Sequence, residues 1–249
     1  MTREPIHHSA ADMAYPAASE KLFEGTAEPL FQRIEAFARF ASRQSIAKFL
    51  ARYEIFKRIL HVNGSIVECG VLFGQGLFTF AKLSAIYEPT NHTRKIVGFD
   101  TFLGFPSVSV KDRDGSASTI LKEGEFAGSS LKALEHAAAL YDANRTLAHV
   151  PKIELVRGDV SKTAPQYIKE NPQLVVSLLY LDLDLYEPTK AAIECFLPRV
   201  PKGGIVVFDE LNAKNCPGET VAAMEAIGVS RMRLERFPTE TFMSYWVVE

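Results

Sequence analysis

Val67-Glu68-Cys69-Gly70-Val71-Leu72-Phe73-Gly74-Gln75-Gly76 decides the fold. It reads as an apolar strand that runs into a glycine-rich turn and then a helix. Two later stretches complete the pattern: Leu179-Tyr180-Leu181-Asp182-Leu183-Asp184 and Val206-Val207-Phe208-Asp209-Glu210. Each is an apolar strand that ends in a pair of acids. Open α/β sheets bind ligands at the carboxyl ends of their strands. A nucleotide-like cofactor site and four carboxylates are therefore expected to share one crevice, which points to a metal-assisted transferase.

The elements around these stretches alternate. Apolar runs at 65–70, 95–100, 152–157, 174–182 and 203–209 read as strands. Helices are expected near 75–87, 129–143, 161–170 and 188–198, with Pro188 suited to a first helical position. The strands lack clean polar–apolar alternation, as expected when helices cover both faces. A helix near 217–227 precedes two β-rich pieces, 231–237 and 242–248, that follow closely enough to pair antiparallel. Residues 29–61 carry apolar stripes at three- and four-residue steps: Phe31, Ile34, Phe37 and Phe40, then Ile46, Phe49, Leu50, Tyr53, Phe56, Ile59 and Leu60. Those stripes mark helices, and Asn63-Gly64 stops the last one. Residues 1–28 read as an N-terminal arm, and 29–249 as one domain. The glycine-containing segment 101–128 follows the second strand and is long enough to be a functional lid.

Composition narrows the function. At 47% hydrophobic and 23% charged the chain is an ordinary globular protein. A net charge of −2 gives no basic footprint for nucleic acid. Cys69, Cys195 and Cys216 are odd in number and scattered, which fits reduced thiols in the cytoplasm. No apolar run reaches the length of a membrane span.

The glycine spacing, G-x-x-x-G-x-G, departs from the dinucleotide fingerprint. Glu68 at the strand end would repel a phosphate and attract a cation or an ammonium group. That favours S-adenosylmethionine over NAD. Asp100 ends the second strand, where an acid can accept from ribose hydroxyls. Asp159 follows the third strand and could accept from an adenine amino group or cap the next helix. Asp182 and Asp184 lie two apart, so they share a side for as long as the strand persists. If the two acid-bearing strands are neighbours, Asp209 and Glu210 converge on them. Convergent carboxylates suit a hard divalent ion such as magnesium. A substrate hydroxyl held there would lose its proton more readily, with a nearby carboxylate as acceptor. Tyr186 could line an acceptor pocket or pack as a buried ring.

These residues resemble the macrocin-type (TylF-like) sugar O-methyltransferases. The resemblance rests on Val67-Glu68-Cys69-Gly70-Val71, Gly98-Phe99-Asp100-Thr101-Phe102-x-Gly104-Phe105-Pro106, Gly158-Asp159, Leu181-Asp182-Leu183-Asp184-Leu185-Tyr186-x-Pro188-Thr189 and Gly203-Gly204-x-x-x-x-Asp209-Glu210, over roughly residues 45 to 249. It implies a Rossmann-like class I methyltransferase: a seven-stranded, mostly parallel sheet with an antiparallel last strand and helices on both faces. It implies methyl transfer from S-adenosylmethionine to a sugar hydroxyl with Mg2+. Asp182, Asp209 and Glu210 take the metal-ligand positions. Asp184 is the candidate base, and Asp182 could be both ligand and base. Glu68, Gly70, Gly74, Asp100, Thr101, Asp159 and Asp182 take cofactor positions. The family often has Asp-Asp where this chain has Asp209-Glu210. The resemblance also implies a homo-oligomer. Two alternatives stay open at this point. One is a catechol- or phenol-type O-methyltransferase, with Phe102, Phe105 and Tyr186 as an aromatic clamp. The other is a non-catalytic nucleotide-binding module.

Overall fold

Five short apolar segments form the parallel part of one sheet: β1 (Ser65–Cys69), β2 (Ile96–Asp100), β3 (Ile153–Arg157), β4 (Val176–Leu181) and β5 (Ile205–Phe208). In this computed structural model, which describes residues 9–113 and 121–249, two further strands complete the sheet. These are β6 (Glu235–Arg236) and β7 (Ser244–Val247). The order is β3-β2-β1-β4-β5-β7-β6. β7 runs antiparallel to β5, and β6 antiparallel to β7. The seven-stranded sheet with its antiparallel end is the one expected. β6 covers only Glu235–Arg236 of the expected 231–237 run, whose first residue ends a 3-10 turn at Val229–Arg231.

Chain order reverses between β1 and β4, which pair in parallel. This is a topological switch point, where the loops leave in opposite directions and open a crevice. The glycine turn and Asp182 both emerge there. Gly70 N–H donates to Phe99 O at 2.8 Å, and Asp182 N–H to Cys69 O at 2.9 Å.

Helices α5 (Gln75–Tyr87), α6 (Leu131–Ala143), α7 (Val160–Glu170), α8 (Tyr186–Phe196) and α9 (Pro217–Ala226) follow the strands. Successive residues of each strand face opposite layers. Ile66, Ile96, Leu178, Tyr180 and Val207 pack with Phe56, Leu77 and Phe80 in one core. Val67, Val97, Phe99, Leu179 and Val206 pack with Val160, Ile193 and Phe196 in the other. Burial of both faces is why the strands read as unbroken apolar runs.

The chain divides into a unit ending at Leu50 and a second from Ala51 to Glu249. The first holds α1 (Ala10–Gly25), α2 (Leu30–Glu35), α3 (Phe37–Phe40) and the start of α4 (Arg43–Ile59). α1 falls inside the stretch read as an arm. A capping box starts it: the Ser9 side chain accepts from Asp12 N–H while the Asp12 carboxylate accepts from Ser9 N–H at 2.9 Å. The Arg33 guanidinium donates to Phe23 O at 2.7 Å, and the Phe23 and Phe40 rings meet edge to face. In the second unit, α4 buries Ala51, Ile55, Phe56 and Ile59, whereas Phe49 and Leu50 of the expected stripe are exposed. Among the described residues, no helix is long and apolar enough to cross a membrane. The expected lid spans 101–128, of which 114–120 lie outside the described residues.

Candidate active site

The glycine turn is pressed against the first acid loop. Gly70 has φ +91°, and a Cβ there would lie 1.8 Å from Asp182 O, so no other residue fits without moving that loop. Gly74 caps α5 in the left-handed conformation. Asp100 braces the turn from the end of β2. Its Oδ2 accepts from Val71 N–H (2.8 Å) and Leu72 N–H (3.0 Å), and its Oδ1 from Phe102 N–H (2.7 Å). A carboxylate offers about four acceptor sites, so Asp100 retains roughly one for a ligand. Thr101 Oγ1 donates to Gly104 O at 2.6 Å and tightens the next turn. Asp159 accepts from Ser161 N–H at 3.0 Å as the N-cap of α7. An open cleft of about 490 Å³ lies beside the ends of β2 and β3, lined by Phe102, Leu103, Ser130, Leu131 and Arg157 among others.

Glu68 does not face that cleft. It is 1% exposed, and its Oε1 lies against Gly76 in the first turn of α5, while Oε2 has no hydrogen-bond partner. Burial pushes its pKa up to about 8; Arg52 opposes the rise, and Asp182, Asp209 and Asp100 add to it. Arg52 itself is 3% exposed, with Nε and Nη1 unpartnered and its guanidinium 5.2 Å from the Tyr180 ring centroid. Burial works against its charge, but Tyr180, Asp209, Glu68 and Asp182 together raise its pKa above the ordinary value. Arg52 is thus the buried counter-charge of the site, a residue the sequence reading missed.

A carboxyl whose pKa rises on folding holds its proton longer when folded. Stability is therefore highest below the unfolded value of 4.5 and falls as pH climbs toward 8. Glu68→Gln removes this titration. Urea unfolding from pH 5 to pH 8 should show the native chain losing on the order of a few kcal/mol relative to the variant. Parallel pH profiles would mean that Glu68 is charged throughout.

β4 and β5 are neighbours with Leu181 opposite Phe208, so Asp182 and Asp209 leave adjacent strand ends. Asp209 N–H donates to Leu181 O at 3.0 Å, and Asp209 Oδ1 accepts from Tyr180 O–H at 2.6 Å. β4 ends at Leu181, so strand alternation does not orient Asp182 and Asp184. Asp184 instead sits at the centre of a γ-turn: its φ is +60°, and Leu185 N–H donates to Leu183 O at 2.6 Å across it. A non-glycine residue held there is strained, and such strain persists where surrounding structure imposes it. Glu210 N–H donates to Glu219 Oε1 at 2.9 Å. Glu219, fully buried in α9 and also missed by the sequence reading, has its pKa raised well above the ordinary value. Burial is the largest cause, the Glu210 amide opposes it, and Asp209, Asp184 and Asp182 add to it.

Among the described residues, no three His, Cys, Asp or Glu side chains are grouped as a metal centre. The donor chemistry nevertheless fits a hard cation. Asp182 and Asp209 follow adjacent strand ends, Asp209 buried with Oδ1 bonded to the Tyr180 hydroxyl. Magnesium commonly takes only one or two carboxylates plus water and substrate. The three aromatic residues do not form a clamp. Phe102 lines the cleft as well as the first core, but Phe105 packs on Phe126 and Tyr186 is 5% exposed with its hydroxyl donating to Glu225, so the other two rings do not join it.

The family model described as macrocin O-methyltransferase (TylF) matches residues 52–228. A crystal structure of the calicheamicin methyltransferase CalS11 is 37% identical, with TM-score 0.91, covering 97% of this chain and 94% of that one. An apo structure of CalS11, described as a TDP-rhamnose 3'-O-methyltransferase of calicheamicin biosynthesis, is 34% identical, with TM-score 0.83 and coverage of 97% and 96%. The O-methyltransferase NovP, at 20% identity and TM-score 0.64 over 82% of this chain and 80% of that one, shares the fold. The comparison with curated proteins gave no match. The β1–β4 switch point, the two acid-bearing strand ends and the family match lead to one conclusion: the chain is an O-methyltransferase of the TylF family.

Proposed function

We propose that the chain transfers a methyl group from S-adenosylmethionine to a hydroxyl of a sugar carried on a nucleoside diphosphate. The observation that carries this reading is the meeting of the glycine turn with the acid loops of β4 and β5 at the switch point. Similarity to a TDP-rhamnose 3'-O-methyltransferase over 97% of the chain supports a nucleotide-sugar acceptor.

S-adenosylmethionine, when bound, supplies an electrophilic methyl on a sulfonium. Gly70 lets the turn close on the Asp182 loop and Gly74 lets it enter α5, which shapes the cofactor edge. Asp100 holds the turn and offers its remaining acceptor site to a ribose hydroxyl. Thr101 and Asp159 flank the same edge. Glu68 is buried beneath the turn with Arg52 as its counter-charge, so it supports the turn from behind and does not face the ligand. Magnesium, when bound, would acidify a substrate hydroxyl; Asp182, Asp209 and Glu210 are the residues to hold it. Asp184 takes the hydroxyl proton, and Asp182 is the alternative base. Holding the oxygen in line with the methyl accounts for most of the rate. We also place the protein in the cytoplasm as a homo-oligomer; exposed Phe31, Ile34 and Phe37 support the latter.

Calorimetry with S-adenosylhomocysteine and magnesium present, titrating dTDP and then UDP and GDP, tests the acceptor class. Binding of one nucleotide is expected. No nucleotide binding with S-adenosylhomocysteine still bound would move the acceptor to a finished glycoside or a phenol. Tyr180→Phe removes the O–H that orients Asp209. Loss of such a support typically costs about 10–100-fold in metal affinity, which Mn2+ titration would read. Unchanged affinity would remove Asp209 from the metal site.

A further inference from the structure

Three segments distant in sequence meet at one buried junction beside the acids. The first is the turn Ser109–Asp112 of the β2–α6 segment. Asp112 is 1% exposed and commits both oxygens: Oδ2 accepts from Ser109 N–H at 2.7 Å, and Oδ1 from Tyr186 N–H at 2.6 Å. The second is the start of α8, where the N-cap Leu185 has no side-chain cap of its own. Asp112 therefore caps α8 from another part of the chain, immediately after the Asp184 γ-turn. The third is the first turn of α9. A Cβ on Gly218 would lie 2.2 Å from Asp112 Oδ1 and 2.5 Å from Tyr186 N, so only glycine fits the junction. The next residue, Glu219, accepts from Glu210 N–H.

A second layer holds the same contact from outside. Lys111 Nζ pairs with Glu225 Oε1 at 2.6 Å and sits 3.9 Å over the Tyr186 ring, while Tyr186 O–H donates to Glu225 Oε2 at 2.6 Å. Leu121, Leu185, Ala213 and Cys216 fill the space beneath, with Phe105 and Val108 packed against them.

We infer that the Ser109–Asp112 turn and the first turn of α9 form one clamp, with Asp112 and Glu219 as positioning residues for the two acid-bearing loops. Asp112 fixes the amide two residues after Asp184. Glu219 fixes the amide of Glu210. Gly218, between them in space, sets the separation of the two loops. Neither side chain needs to touch a substrate: each acts through a backbone amide whose movement would misaim a carboxylate. The inference rests on the reading of Asp184 as base and of Asp209 and Glu210 as metal ligands.

The test compares Asp112→Ala, Asp112→Asn, Gly218→Ala and Glu219→Ala with Asp184→Asn as reference. TDP-rhamnose is the acceptor, S-adenosylhomocysteine affinity comes from calorimetry, and amide hydrogen exchange is read at Tyr186 and Glu210. Asp112→Ala and Gly218→Ala should lower kcat about 10–100-fold, the scale of a small misplacement or a lost supporting contact. KM values and S-adenosylhomocysteine affinity should stay within about threefold of native, well under that scale. Asp112→Asn keeps an acceptor toward Tyr186 and should recover much of the loss. Exchange should rise at Tyr186 in Asp112→Ala and at Glu210 in Glu219→Ala, with or without turnover. If both Asp112→Ala and Gly218→Ala keep native kcat, or lose S-adenosylhomocysteine binding together with kcat, the clamp is not a positioning device. If Asp184→Asn is as active as native, the base reading fails instead, and the exchange data still decide whether the clamp holds the loops.

Discussion

Replacing Asp184 with asparagine should lower kcat by about two to four orders of magnitude, the range a positioned general base supplies. Asparagine tolerates positive φ better than most residues, so the γ-turn at φ +60° should survive. The side chain keeps its size and loses only its ability to take a proton. KM for the acceptor should move little, because the loss falls on the chemical step. Alanine at the same position adds the cost of a left-handed backbone, about 1–2 kcal/mol, and should lower thermal stability as well. Steady-state kinetics of both variants separate the two effects. An asparagine variant within about threefold of native would assign the proton elsewhere, with Asp182 next to be tested.

Arg52→Met should destabilise the fold by up to about 3–5 kcal/mol, the usual cost of leaving a buried charge without its partner, the cost growing as pH rises through about 8 and Glu68 ionises. The guanidinium is buried over Tyr180, and Glu68, Asp182 and Asp209 all feel it. Its removal leaves Glu68 buried with an unpartnered oxygen and no compensating cation. Glu68 escapes the penalty by taking a proton, so the cost should be smaller at pH 5. Arg52→Met combined with Glu68→Gln should recover most of the loss at pH 8, since a buried pair replaced on both sides is often close to neutral. Urea unfolding of the two single variants and the double variant measures the coupling directly. Additive losses would show that the two side chains stabilise the fold independently.

Much of the fold was legible because burial on both faces writes long apolar runs into β1, β4 and β5. The glycine spacing and the acids after β4 and β5 pointed to one end of the sheet, and there Gly70 does meet the Asp182 loop beside the end of β5. What the sequence could not deliver depends on long-range packing. Arg52 lies on the α4 face with Ile55, Phe56 and Ile59, at steps of three, four and seven, and a cation on that stripe was a readable sign of a buried counter-charge. Asp112 and Glu219 look like solvated acids until the fold brings α8 and α9 to them. The Ser109-x-x-Asp112 capping box was the one local clue. A shared side for Asp182 and Asp184 required the strand to persist, but β4 stops at Leu181 and a γ-turn takes over, which no period-two pattern can show.

The most direct measurement is a mass-spectrometric assay of the protein with S-adenosylmethionine, magnesium and TDP-rhamnose, repeated with UDP- and GDP-sugars. One of these sugars should gain a single methyl group, with one S-adenosylhomocysteine formed for each, and the product should nearly vanish with Asp184→Asn. No methylated nucleotide-sugar in any reaction, alongside ready methylation of a catechol, would contradict the account.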